Sequence, residues 1–190
     1  EQALGEPDPA KAAGLLAEEI IVGRLKLKQW NAEVEHWIER VNFVASHCPE
    51  IEIATLDESG RKAICEQICL GFRSYRQIKN KEVFSFVKDW LSEEQIGAVE
   101  KLAPEEHRLP NRRKPARIRY ASGEATIAAR IQELYDLKEV PVIASGRYVV
   151  CVEALAPNGR PVQVTRDMES FWRDSYPEIR KQLAGGYPKH

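Results

Sequence analysis

The sequence predicts an α+β protein. A helical, bundle-like part over residues 1–104 is expected to pack on a β-rich module with flanking helices over residues 105–190. Two observations carry this reading. Up to Pro104 the apolar residues recur at i, i+3, i+4 and i+7, the spacing of one buried helix face. Beyond Pro104 short β-branched runs alternate with Gly- and Asn-containing turns, the mark of strands and hairpins. The chain is 190 residues long, 43% apolar and 30% charged, enough to form a core without disulfide or metal.

Each element follows from local signals. Asp8-Pro9 pairs a capping carboxylate with a proline at the first helical position, so a helix should run from there to about Gly23. A second follows Asn31, with Val34, Trp37, Ile38, Val41, Val44 and Ala45 inward, and stops before Pro49. Thr55-Leu56-Asp57-Glu58 reads as a capping box opening the helix that carries Cys65 and Cys69, which ends near Gly71. Val83, Phe84, Phe86, Val87, Trp90 and Leu91 form a further buried stripe. Ser92-Glu93-Glu94-Gln95 opens a helix through Ile96, Val99 and Leu102 that Pro104 stops.

In the second part, His107–Leu109 and Ala116–Tyr120 are expected as strands around the turn-rich segment 110–115. A helix is expected after Gly123, with Ile127, Ile131, Leu134 and Tyr135 inward. Val140–Ala144 and Tyr148–Leu155 read as strands joined at Ser145-Gly146. Ala156-Pro157-Asn158-Gly159 turns into Val162–Thr165. Two closing helices are expected, one with Met168, Phe171 and Trp172, the next with Ile179 and Leu183. Pro177 separates them, and Ser175-Tyr176-Pro177-Glu178 supplies a new cap. Trp37, Trp90, Phe171 and Trp172 are assigned to the core.

The chemistry that is missing narrows the function. There is no Gly-Lys dipeptide, hence no phosphate-binding loop of that type, and no G-x-G-x-x-G or G-x-S-x-G. Asp57-Glu58-Ser59-Gly60 starts like a helicase Asp-Glu box but lacks the later histidine. His36, His47, His107 and His190 are scattered. Cys65 and Cys69, four apart on an apolar helix face, read as buried thiols rather than as metal ligands with His47 and Cys48. No catalytic residue and no metal site is expected. No apolar run has the length of a membrane span, and no leader segment opens the chain, so a cytoplasmic protein without membrane partners is expected.

One positive signal stands out. The net charge of −1 hides an acidic first part and a basic second part. Residues 107–123 carry Arg108, Arg112, Arg113, Lys114, Arg117 and Arg119 and no acid. On a strand, Arg117 and Arg119 share one side while Ile118 and Tyr120 share the other. Such a ridge can neutralise phosphates and release counterions, and guanidinium forks suit phosphate oxygens. Arg147 and Arg160, at the two turns, and Arg166 either extend it or stand as isolated surface charges. Charge that guards a strand edge against pairing, and docking on an acidic protein surface, are the competing readings. Tyr120 or Tyr148 could stack a base, against core packing for both.

The stretch Ala156-Pro157-Asn158-Gly159-Arg160-Pro161-Val162-Gln163-Val164-Thr165-Arg166-Asp167, then Phe171-Trp172, Ser175-Tyr176 and Tyr187-Pro188-Lys189-His190, resembles the C-terminal region of bacterial ATP-dependent helicases of the HrpB type. These are DEAH-like members of helicase superfamily 2. Leu27-Lys28-Gln29-Trp30, Leu109-Pro110-Asn111 and Ala129-Arg130-Ile131-Gln132-Glu133-Leu134-Tyr135 fit the same pattern, and the resemblance runs from about residue 15 to the end. It implies that the chain is the accessory C-terminal piece of a longer helicase. The motor domains, ATP and magnesium would then belong upstream, with no cofactor in this piece. The expected function is a non-catalytic region that contacts single-stranded nucleic acid through its basic surface. The alternative is a protein-docking module for the motor domains or another partner.

Overall fold

The computed structural model describes residues 8–186. The segment Tyr187-Pro188-Lys189-His190 lies outside them. The chain divides into two units. One gathers the described residues up to Ala45 with Pro49–Ala98; the other gathers Ser46–Cys48 with the described residues from Val99 onward.

The first unit is helical. Helix α1 (Pro9–Ile21) starts where Asp8 Oδ1 accepts the Ala10 N–H at 3.1 Å. Helix α2 (Ala32–His47) starts where Asn31 Oδ1 accepts from Glu33 and Val34. Its inward residues Val34, Trp37, Ile38, Val41 and Val44 are buried, as their spacing predicts, while Ala45 is half-buried. Helix α3 (Glu58–Cys69) packs along α1 and carries the buried Cys65 and Cys69. Its cap is Asp57, which accepts the Gly60 N–H at 3.0 Å, so the box expected at Thr55 gives way to a start two residues later. Just before the cap, the Leu56 N–H donates to Asn42 Oδ1 at 2.7 Å.

Two short helices follow, α4 (Tyr75–Ile78) and α5 (Phe84–Lys88). The stripe expected to be buried here is buried only in part. Val83, Val87 and Leu91 are buried, whereas Phe84, Phe86 and Trp90 are half-exposed. Helix α6 (Glu93–Leu102) opens with the expected reciprocal box: Ser92 N–H donates to Gln95 Oε1, and Gln95 N–H donates to Ser92 Oγ.

A polar clamp ties the first unit together. Arg61 on α3 donates through both terminal nitrogens to the two Glu35 oxygens on α2, each at 2.7 Å. Trp30 Nε1 donates to the same carboxylate at 2.6 Å. This forked geometry is the strong form of an ion pair. It holds the Glu35 carboxyl below the usual carboxylate range, chiefly through the Arg61 hydrogen bonds.

The second unit is built on a five-stranded sheet in the order β1-β2-β3-β6-β7. Strand β1 is short (Glu106–His107), followed by β2 (Ala116–Ala121) and β3 (Glu124–Arg130). Helix α7 is one turn (Ile131–Leu134). A small hairpin, β4 (Val142–Ile143) and β5 (Tyr148–Val149), stands apart as its own sheet. Strands β6 (Cys151–Leu155) and β7 (Pro161–Thr165) complete the main sheet. All neighbours are antiparallel except β3 and β6, which run parallel. Buried side chains alternate along the strands: Ala116, Ile118 and Tyr120 on β2, Ala125, Ile127 and Ala129 on β3, Val152 and Ala154 on β6.

Strand β3 overturns the helix expected after Gly123. Ser122 and Gly123 have φ of 51° and 78°, the left-handed pair of a two-residue hairpin turn. The turn sends the chain back along β2, with Ile118 opposite Ile127. Alanine is the best intrinsic helix former, but propensity yields to tertiary context, and in Glu124-Ala-Thr-Ile-Ala-Ala-Arg130 it sits on a period-two pattern that two flanking strands satisfy. Tyr135, expected inward, is 40% exposed because only one turn of helix separates it from β3.

The two closing helices are also different. Helix α8 (Met168–Ser170) runs through a π-helical turn over Phe171–Ser175 into α9 (Tyr176–Gly186) without a break. Pro177 has no N–H for the Arg173 carbonyl, and its ring would strike that carbonyl in an α-helix. The wider turn accommodates it, with the Tyr176 N–H bonding to Phe171 O five residues back. Phe171 is buried, but Trp172 is half-exposed rather than core.

Two outcomes check this account. Ile127→Ala leaves a cavity beneath the central strand and should cost about 2–5 kcal/mol in urea unfolding; a cost below about 1 kcal/mol would place residue 127 at the surface. The depressed Glu35 carboxyl contributes stability above its unfolded pKa that is lost as pH falls through the folded value. Arg61→Met should therefore weaken that acid dependence of the unfolding midpoint, and an identical pH profile in the variant would refute the clamp.

Candidate nucleic-acid interface

The outer face of the sheet carries the cations. On β2, Arg117 and Arg119 alternate with the buried Ile118 and Tyr120, as period-two geometry requires. Arg119 lies opposite Thr126, and Thr126 lies beside Cys151 on β6. Strand β1 covers the outer edge of β2 only at its start, where Glu106 pairs with Arg117 and His107 with Ala116. Burial pulls the His107 imidazole below its usual pKa.

The segment that is free of acids in the sequence meets acids in the fold. Arg119 Nη2 lies 3.0 Å from Glu153 Oε2, and Arg112 Nη1 lies 3.7 Å from Glu133 Oε2. Arg147 donates to the backbone oxygen of His47 at 3.2 Å. Arg108, Arg113, Lys114 and Arg160 are exposed and form no ion pair among the described residues. The Arg119 side chain is still 64% exposed. Exposed pairs of this kind are worth only about 0–1 kcal/mol, so a phosphate can displace the carboxylate at little cost.

The turn that carries Arg112, Arg113 and Lys114 is anchored rather than free. Asn111 Nδ2 donates to the Tyr135 carbonyl and, at 3.1 Å, to Asp136 Oδ2. The β2–β3 hairpin is anchored from its other end. Tyr148 on β5 donates its hydroxyl to Glu124 Oε2 at 2.7 Å and accepts the buried Ala125 N–H at 3.0 Å. Arg166 pairs with the same Glu124 and lies over the Tyr148 ring at 5.6 Å. His47 Nε2 bonds to Gly123 O at 2.9 Å, and its ring meets that of Tyr148 edge-on. The Tyr148 hydrogen bond and the Arg166 charge lower the Glu124 pKa, while burial and then Glu124 raise that of Tyr148.

These contacts decide the two tyrosines considered for stacking. Tyr120 is 3% exposed, with its hydroxyl donating to Pro104 O at 2.8 Å, and Tyr148 is 8% exposed. Neither offers an open ring face. Burial pushes the Cys65 and Cys69 thiols up to about 12 and about 11, so both are protonated at neutral pH. Asp57 is occupied as a helix cap.

Sequence reasoning missed Arg130, which joins the outward residues of β3. Its parity with Glu124 was legible, but only once residues 124–130 were read as a strand. Strand β3 passes straight into α7 through Ala129-Arg130-Ile131, without a glycine.

Comparison with known proteins adds the lineage. A model of the family described as ATP-dependent helicase C-terminal matches residues 65–190. The ATP-dependent RNA helicase HrpB of Escherichia coli K12 is 29% identical over 173 residues, which cover 87% of this chain and 21% of that protein. A crystal structure of the E. coli DExH-box NTPase HrpB superposes over the whole chain and 24% of its own, with a TM-score of 0.80 and 27% identity. A second, of the E. coli DEAH/RHA helicase HrpB, gives a TM-score of 0.71 at 27% identity, with the same coverage. The chain therefore spans about a fifth of the curated relative it matches.

Tyr148→Phe tests the anchoring of the hairpin. It strips Glu124 of a donor and leaves the buried Ala125 N–H without an acceptor, which should cost about 1–3 kcal/mol by urea titration. An unchanged midpoint would mean that the hydroxyl does not hold the hairpin.

Proposed function

The chain belongs to the family of ATP-dependent helicase C-terminal regions, and from that premise we propose that it is a non-catalytic accessory region of an ATP-dependent helicase that holds single-stranded nucleic acid on its basic surface. The observation that carries the reading is the outward face of β2 together with the anchored turn before it. Arg117, Arg119, Arg113 and Lys114 are exposed there, on backbone fixed by pairing and by Asn111. Arg108, Arg112, Arg147 and Arg160 extend the surface. The contacts are to phosphates, so they position a strand without reading its bases. The name of the E. coli relative favours RNA.

In this reading residues 1–104 link the module of residues 105–190 to motor domains elsewhere in the parent protein. ATP and magnesium act in those motor domains, in the cytoplasm. Residues of this chain do not suit the triphosphate, and no step of its hydrolysis is assigned to them.

A docking role is the second reading. It is favoured by the pairs Arg119–Glu153, Arg112–Glu133 and Arg166–Glu124, which neutralise part of the face. It is favoured also by Val164 on the edge strand β7, 56% exposed.

A salt titration separates the two. Binding of a single-stranded oligonucleotide to the 190-residue chain should weaken steeply with salt, with a log–log slope of about −0.7 per phosphate contact. Replacing Arg113, Lys114 and Arg117 together by Glu should flatten the slope by roughly 2 and leave the unfolding midpoint in place. Equal affinity and slope in the triple variant would reject the surface and favour docking.

A further inference from the structure

The aromatic side chains gathered at the closing helices play no part in the phosphate surface. Tyr135 follows α7 and is 40% exposed. Its centroid lies 5.8 Å from that of Trp172 and 6.2 Å from that of Tyr176, and Trp172 and Tyr176 are 5.1 Å apart. Buried Phe171 supports them from below, 4.8 Å from Trp172. The planes are fixed by polar contacts: Trp172 Nε1 donates to Leu137 O at 2.9 Å, and the Tyr135 and Tyr176 hydroxyls share a hydrogen bond of 2.9 Å. The π turn before Pro177 sets this arrangement. By bonding residue 176 to residue 171 it brings Tyr176 beside Phe171, with ring centroids 6.4 Å apart.

A cleft of about 460 Å³ opens among Tyr135, Asp136, Leu137, Lys138, Trp172 and Tyr176. A second, of about 410 Å³, continues past Tyr176 along Pro177, Arg180 and Lys181. Both fall in the size range of ligand clefts. The charge around them is mixed with a cationic excess. Lys138 and Arg180 form no ion pair among the described residues, Lys181 pairs with Glu178 at 2.7 Å, and Asp136 accepts from Asn111. Arg180 is near enough to Tyr135 to oppose the rise in its pKa. Asn111, which ties the turn to this place, directly precedes Arg112-Arg113-Lys114.

We infer that this cleft is a base-stacking site, in which the Tyr135 ring, backed by Trp172 and Tyr176, takes the face of an unpaired nucleobase from a strand whose phosphates lie on Lys138, Arg180 and the basic turn. An apolar pocket of branched side chains would suit any greasy group. Rings held in fixed planes and flanked by cations suit a flat π system attached to phosphate. Stacking of this kind accepts every base, because each has a π face. The inference rests on the strand-binding reading above and adds a contact to the bases.

The test compares an oligouridylate with an abasic strand of equal length and charge, titrated against the 190-residue chain and its variants. The wild-type chain should bind the abasic strand roughly tenfold more weakly. Tyr135→Leu should lose that discrimination with the salt slope unchanged, since no ionic contact is removed. Tyr135→Phe keeps the ring but loses the hydroxyl bond to Tyr176, so it should retain most of the discrimination; circular dichroism and urea midpoints verify the fold of each. Equal binding of both strands by the wild type, or undiminished discrimination in Tyr135→Leu, overturns the stacking site while leaving the phosphate surface standing. Failure of the wild-type chain to bind either strand at low salt overturns the strand-binding reading itself, and this inference with it.

Discussion

The turn at Ser122-Gly123 is the constraint on which the second unit depends. Two successive left-handed residues reverse the chain within two positions and fix the register of β3 on β2. Because side chains alternate with period two, a slip of one residue would exchange Arg117 and Arg119 for Ile118 and Tyr120 on the outer face. The turn therefore sets both the core and the cationic surface. It is itself held by His47 at the Gly123 carbonyl and by Tyr148 at the Ala125 N–H. A glycine at the second turn position accepts positive φ without steric penalty, whereas Ser122 at the first carries a Cβ and adopts it at a cost of roughly 1–2 kcal/mol.

Electrostatics in this unit is a matter of exposure rather than of sign alone. The same guanidiniums that read as an unopposed run in the sequence lie near Glu153, Glu133 and Glu106 once strands and loops are paired. Arg119 keeps 64% of its side chain exposed beside Glu153, and Arg112 meets Glu133 by a single contact at 3.7 Å, so each is a one-pronged contact that leaves the cation exchangeable. The contrast is Arg61 with Glu35 in the first unit, where a two-pronged, half-buried contact with a third donor from Trp30 ties loop and helices into one structure.

Proline 177 has an effect beyond its own position. In a regular helix it would cost several kcal/mol or break the chain's path. Here the π turn absorbs it, and the cluster of Phe171, Trp172 and Tyr176 is arranged by that same widening. A local sequence signal, read as a helix break with a new cap, is resolved by the fold as a continuous helix of altered winding.

The sequence by itself determined whatever depends on nearest neighbours. The caps at Asp8, Asn31 and Ser92, the buried stripe of α2, the in-out alternation of β2 and the absence of a Gly-Lys loop were all legible, because each is set within a few residues. The family resemblance was legible too, through Arg160-Pro161-Val162-Gln163-Val164-Thr165 and Phe171-Trp172. Tertiary structure decided the rest. Residues 124–130 became a strand because β2 and β6 offer backbone partners on both sides, and such pairing outweighs the helix preference of alanine. The acids facing Arg119 and Arg112, and the exposure of Tyr135 beside Trp172, arise from contacts between residues far apart in the chain. Composition and periodicity hold no record of such contacts.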